Sequence, residues 1–159
     1  MEQIERSRRY LERIRQIYAG VPDRDDARDY YRDDVESFFL HSYSIVYWAA
    51  ELNRAGLPIG DMHTYVNAHE ELRICADLAN GLKHFDLNNL RTDHQPHVAR
   101  INRLGCELED GRSVTRMTFG VMANGKLWDA LELAEECMVL WDELSADLEQ
   151  LVDPSVDVQ

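Results

Sequence analysis

Signatures of familiar chemistry are scarce in this sequence. Neither GxGxxG nor GxxxxGK[ST] occurs, which removes the usual glycine-rich phosphate cradles. There is no serine nucleophile elbow. H-E-x-x-H is absent too, because His69-Glu70-Glu71-Leu72 runs on into Arg73. Asp93, His94 and His97 (DHQPH) lack a zinc-site spacing, so neither a metal nor any other cofactor is expected. Cysteine is limited to Cys75, Cys106 and Cys137, odd in number and without C-x-x-C. That usage points to reduced thiols in a cytoplasmic protein, with Cys75 and Cys137 as small buried hydrophobes. The opening MEQIERSRRYLERIRQ has no apolar signal core. The longest apolar run, residues 38–50, is interrupted by His41, Ser42 and Ser44 and is too short to span a bilayer, so no membrane partner is expected.

Positive charge is in short supply as well. Over 159 residues the formal net charge is −13, which excludes broad, non-specific nucleic-acid binding by phosphate neutralisation. The imbalance is local: residues 129–159 hold ten acids and no Lys or Arg. The first twenty residues instead carry Arg6, Arg8, Arg9, Arg13 and Arg15 against Glu2, Glu5 and Glu12. An arginine-bearing first helix beside an acidic last helix reads as two neighbours with complementary surfaces.

What is present is a set of amphipathic segments sufficient for one domain. Ile4, Leu11, Ile14, Ile17 and Tyr18 set a helical period that ends near Ala19-Gly20, with Pro22 just beyond. The spacing predicts a second helix over 26–54, apolar on most sides and closed by Gly56, Pro58 and Gly60. Asp61 is placed to cap a third helix over 62–85. After a loop (DLNNLRTDHQPHV), β-prone runs separated by Asp110-Gly111 and Asn124-Gly125 predict a small antiparallel meander. Its Met117, Phe119 and Met122 are expected to cover the open end of the helices. Asp129, with Glu132 three residues on, marks the start of the last helix. The expected fold is therefore mainly α, a four-helix bundle over 1–151 with a β-insert at about 99–128, and a frayed tail over 152–159.

The third helix carries the candidate site. In ELRICADLANGLKHF (residues 71–85), Arg73, Asp77, Asn80 and His84 fall within an arc of about 60° at about 100° per residue. Most of the rest of that helix is apolar or small, so the stripe must meet water, partner groups or a ligand. Asn80 and His84 stand at i and i+4, where an imidazole can act as acid or base and an amide can orient a substrate or a water. Arg73 and Asp77 share the same spacing and would form a plain salt bridge. On the second helix Ser37, His41, Ser44 and Trp48 lie on one stripe. If that stripe faces the third helix, His41 meets Asp77 or Asn80; otherwise it is a hydrogen-bonded core histidine.

The order of helices, together with Ala79-Asn80-Gly81-Leu82-Lys83-His84, resembles the HEPN superfamily of all-α domains. Members of that family commonly carry R-N-x-x-x-H late in a helix of a four-helix bundle. Many are metal-independent ribonucleases of toxin–antitoxin, phage-defence or RNA-processing systems, with the active site formed across a homodimer. On this resemblance Asn80 and His84 take the family's Asn and His positions, and a homodimer is implied. The family's Arg, which stabilises charge on the scissile phosphate, is replaced here by Ala79. Arg73 is on the same face but eleven residues from His84, about 16 Å along the axis. Lys83 and Arg91 are the remaining cations near the motif. Three readings follow: a catalytically silent, dimeric HEPN-like domain that binds a protein or RNA partner, a ribonuclease using His84 and Asn80, and an unrelated helical interaction module.

Overall fold

The computed structural model describes residues 2–54, 61–84 and 88–152. In chain order the elements are α1 (Glu2–Ala19), β1 (Val21–Pro22), α2 (Ala27–Tyr43), α3 (Ile45–Arg54), α4 (Met62–Ala68), α5 (Glu70–Lys83), β2 (His97–Glu107), β3 (Ser113–Ala123), β4 (Lys126–Asp129) and α6 (Ala130–Val152). The glycines and proline after Arg54, residue Phe85 and the tail beyond Val152 lie outside the described residues.

The capping residues act as their chemistry requires. Asp61 Oδ1 accepts the His63 N–H at 3.0 Å, and its Oδ2 accepts the Thr64 hydroxyl at 2.9 Å. Asp129 Oδ1 accepts the N–H groups of Leu131 (2.9 Å) and Glu132 (3.1 Å), starting α6 directly from β4. Two predicted helices are each divided. The second bends at Ser44, whose hydroxyl donates to the Leu40 carbonyl at 2.7 Å. The third breaks at His69, which is extended (φ −119°, ψ 126°) and serves as both the end of α4 and the start of α5.

The four-helix bundle with a small insert is corrected by the sheet. Six helices pack with a four-stranded antiparallel sheet, in which β3 pairs with β2 along one side and with β1 and β4 along the other. The sheet is a wall of the core rather than an appendage. Alternate residues of β3, Thr115, Met117, Phe119, Val121 and Ala123, are buried with α1 and α6. Met117 and Phe119 thus cover the helices as expected, whereas Met122 points to the opposite, exposed face. At the Asn124-Gly125 turn both residues have positive φ (50° and 68°), the geometry that a two-residue hairpin demands.

Between β1 and β4 the side of β3 has no strand partner, and Tyr18 fills the gap. Its phenol oxygen accepts the Phe119 N–H at 3.0 Å, and its hydroxyl donates toward the Phe119 carbonyl and Asp129 Oδ2, each oxygen 3.2 Å away. Burial, reinforced by the Asp129 charge, pushes the Tyr18 phenol up to about 12.

The core centres on α5, where Leu72, Ile74, Cys75, Ala76, Asp77, Leu78 and Ala79 are all buried. It packs against α2 and α6 through Phe38, Phe39, Leu133, Cys137 and Trp141. The charge complementarity expected of the terminal helices is present: Arg8 reaches Asp142 (2.7 Å) and Arg15 reaches Glu135 (3.0 Å). Among the described residues no helix is long and apolar enough to cross a membrane.

Candidate functional site

Asp77 is the only charged residue in the buried part of α5, with no solvent exposure. Its Oδ2 accepts three hydrogen bonds from the segment after the helix: the Arg91 N–H (2.7 Å), the Thr92 N–H (2.9 Å) and the Thr92 hydroxyl (2.9 Å). Its Oδ1 lies 3.7 Å from Arg91 Nη1 and has no hydrogen-bond partner. Residues 91–96 are therefore strapped across α5 by one carboxylate. The Gln95 side chain lies over Gly81, its Nε2 2.5 Å from where a Cβ would stand. At the other side Asn124 Oδ1 accepts the Asp93 N–H (3.0 Å), and its amide donates to Glu70 Oε1 (2.9 Å). The second hairpin turn thus ties the strap to the start of α5.

Around Asp77 the structure assembles Arg91, Tyr43, Asn80 and His63. Arg91 Nη2 donates to the Tyr43 phenol at 3.3 Å and stands 3.5 Å from His63 Nδ1. The guanidinium lies 5.7 Å from the Tyr43 ring centroid. Burial raises the Tyr43 phenol above its ordinary range, a rise that the Arg91 charge opposes. Tyr47 packs edge-on against Tyr43 at 5.9 Å and is itself largely exposed. Lys83 Nζ is 5.8 Å from the Tyr47 ring centroid. The result is a cationic and aromatic rim on an otherwise acidic protein, anchored at its inner end by a buried carboxylate.

The predicted stripe is only partly brought together. Arg73 does not pair with Asp77; its Nη1 donates to the Asn67 carbonyl at 2.7 Å and closes the end of α4. Asp77 and Asn80 share the cluster just described. The helix ends at Lys83, and His84 is extended (φ −131°, ψ 136°) and exposed. Its N–H still donates to the Asn80 carbonyl at 2.9 Å, yet the side chain no longer follows the i, i+4 direction of the helix face. Among the described residues none hydrogen-bonds the His84 ring.

His41 does not meet Asp77 or Asn80. It faces α1, where Gln3 Nε2 donates to its carbonyl at 2.9 Å and Tyr10 stacks on its ring at 4.9 Å. The side of α2 that meets α5 is marked by Phe39, whose carbonyl accepts the Cys75 thiol. Burial, then the charges of Arg6 and Arg9, pull the His41 imidazole below its ordinary range. Those arginines, with Arg13, Tyr10 and His41, line an open cavity of about 280 Å³.

Tyr43, His63 and Thr92 are the cluster members that sequence reasoning missed. Thr92 is fifteen residues from Asp77 in sequence, and helical spacing carries no information across a loop. No protein-family model, curated protein or solved structure matches the chain.

Proposed function

We propose that this chain is a HEPN-like, homodimeric binding or regulatory domain of the cytoplasm, without nuclease activity of its own. The observation that carries this reading is the internal use of the polar stripe. Asp77 holds the strap and Arg73 closes α4. Groups with fixed structural partners are poorly placed to exchange those partners for a substrate. His84, left outside the helix geometry, has no hydrogen-bond partner among the described residues to set its tautomer or orient it as an acid or base. The Asn and His of the motif support HEPN-like descent. The three free cysteines, two of them buried, suit a reducing compartment.

One observation favours a second reading, a metal-independent endoribonuclease of the toxin or phage-defence type. Arg91 places a guanidinium beside Tyr43 and on the Asn80 side of α5, supplying the cation that Ala79 does not. The Asp77 carboxylate, 3.7 Å from Arg91 Nη1, competes for that charge.

The test is incubation of the purified protein with a mixed tRNA and mRNA pool in EDTA, alongside His84→Ala. The binding-domain reading expects no cleavage over a wide enzyme range. Cleavage by the wild type that is lost in His84→Ala would establish the ribonuclease instead. Sedimentation velocity on the same preparation tests the dimer.

A further inference from the structure

Strand β2 leaves one long edge unpaired among the described residues. Its inner side is taken by β3 from His97 to Glu107, and no other described strand lies along its outer side. The groups on that outer edge can be identified. The N–H and C=O of Phe119 point to Tyr18, away from β2, so those of its cross-strand partner Ile101 point outward. Alternation along the strand adds Arg103, Gly105 and Glu107. The carbonyl of Leu104, between them, is turned inward to the Thr115 hydroxyl at 3.3 Å.

Exposed edges are normally short, covered, bulged, or guarded by Pro or charged side chains, and the guards on β2 are its Arg and Glu residues, which an antiparallel copy would pair rather than repel. Strand β2 has eleven residues and neither Pro nor Lys; its one irregularity, between Val98 and Arg100, sits at an end. Charge is segregated along it. His97, Arg100 and Arg103 occupy the first part, Arg103 already paired with Asp23, and Glu107, Glu109 and Asp110 lie at and just beyond its close, Asp110 paired with Arg112. A parallel copy would set like charges side by side, whereas an antiparallel copy sets basic against acidic. On a chain of net charge −13 such a self-matched segment is where two copies can approach.

We propose that β2 pairs antiparallel with β2 of a second copy about a two-fold axis at Leu104, joining the two sheets into one. The inference rests on the dimeric reading above and specifies its surface. The axis follows from the free groups. A two-fold at Leu104 opposes Ile101 to the partner's Glu107 and Arg103 to the partner's Gly105, with the reciprocal pairs, so all four outward residues find partners. A two-fold at Arg103 would instead spend one pairing on Ala99 at the irregularity. Leu104, 69% exposed in the single chain, then faces the partner's Leu104 in a non-hydrogen-bonded pair, where Cα atoms approach to about 4.5 Å. Arg100 comes to lie beside the partner's Glu109 and the partner's Asp110.

Two variants test the surface, with sedimentation velocity as the first readout. Gly105→Pro removes an outward N–H that no strand of the same chain uses, and its φ lies outside the left-handed region. It is expected to raise the dimer dissociation constant at least tenfold while leaving the thermal transition in place. Leu104→Cys in a Cys106→Ser background is expected to form disulfide-linked dimers under oxidised glutathione. Arg112→Cys in the same background, at the hairpin tip, is expected not to. Should Gly105→Pro fail to fold, the cross-linking result decides alone. A wild-type chain that sediments as a monomer at every concentration overturns the dimeric reading and this surface with it. A wild-type dimer indifferent to Gly105→Pro and unlinked through Leu104→Cys overturns the surface and leaves dimerisation standing.

Discussion

Replacing Asp77 by Ala removes the acceptor of three hydrogen bonds from the strap, two of them from backbone N–H groups. Hydrogen bonds to a charged acceptor contribute about 1.5–3 kcal/mol each, but the strap can relax and recover water for some of its donors. Removing one member of a buried ion pair costs about 3–5 kcal/mol, chiefly through the charge left behind. Arg91 keeps 21% of its side chain exposed and can turn to solvent, so the lower half of that range applies, about 3–4 kcal/mol. For a chain of this length that corresponds to a fall of roughly 6–16 °C in Tm. Asp77→Asn preserves shape and one carbonyl acceptor, and is expected to lose about half as much. Arg91→Ala should cost less than Asp77→Ala, because the backbone donors of residues 91 and 92 remain in place.

The assay is thermal unfolding followed by circular dichroism, paired with hydrogen exchange. The Arg91 and Thr92 amides should lose protection in Asp77→Ala while those of α1 keep theirs. An unchanged Tm with both amides still protected would refute the anchoring role. A raised Tm would point the other way, to a buried charge kept for ligand binding at the expense of stability.

Three further perturbations probe the frame around the site. Tyr18 has a folded pKa of about 12 against an ordinary 10, so its contribution is fully present below pH 10 and is lost as pH rises toward 12. Urea midpoints should fall through that window by the equivalent of about 2 kcal/mol, and Tyr18→Phe, less stable at pH 8, should fall less steeply. Ser42→Ala takes away the acceptor of the Trp141 indole N–H (2.8 Å) where both residues are fully buried, and should cost about 1–3 kcal/mol in chemical denaturation. Gly120→Ala would bring a methyl to 2.9 Å from Leu127 Cδ1 and 3.3 Å from Arg100 Cβ; a loss of about 1–3 kcal/mol is expected, and an unchanged midpoint would mean that the β3–β4 hairpin gives way freely.

Local chemistry made much of the architecture readable. Asp61 and Asp129 each bind N–H groups within three residues, and Asp110-Gly111 and Asn124-Gly125 set turns within four. Signals of that range are written in sequence. The bend at Ser44 and the break at His69 were not, because neither carries Gly or Pro. Ser44 bonds back to Leu40, and the His69 ring bonds to the Tyr65 carbonyl at 3.0 Å, devices that suit a helix interior equally well. The sheet was underestimated for a related reason. A two-residue strand, Val21–Pro22, has no periodicity to detect, and the partner of β3 between β1 and β4 is a tyrosine rather than a strand.

The stripe on α5 shows why a candidate site is harder to read than a helix. Periodicity correctly placed Arg73, Asp77 and Asn80 on one face, yet it could not say what each would touch. For Arg73 and Asp77 those partners are Asn67 and the strap at 91 and 92, contributed by separate segments. Asp77 Oδ2 is satisfied by the strap alone, whereas Oδ1 faces the Arg91 guanidinium at 3.7 Å with no hydrogen bond among the described residues. What the structure leaves over is on the rim: Lys83 and Tyr47 at one end of α5, with His63 and His84 exposed nearby. If the domain binds an anionic partner there, charge changes at Lys83 will alter affinity without altering stability, whereas changes at Asp77 will alter both. That separation, measured on one pair of variants, distinguishes a recognition surface from the scaffold beneath it.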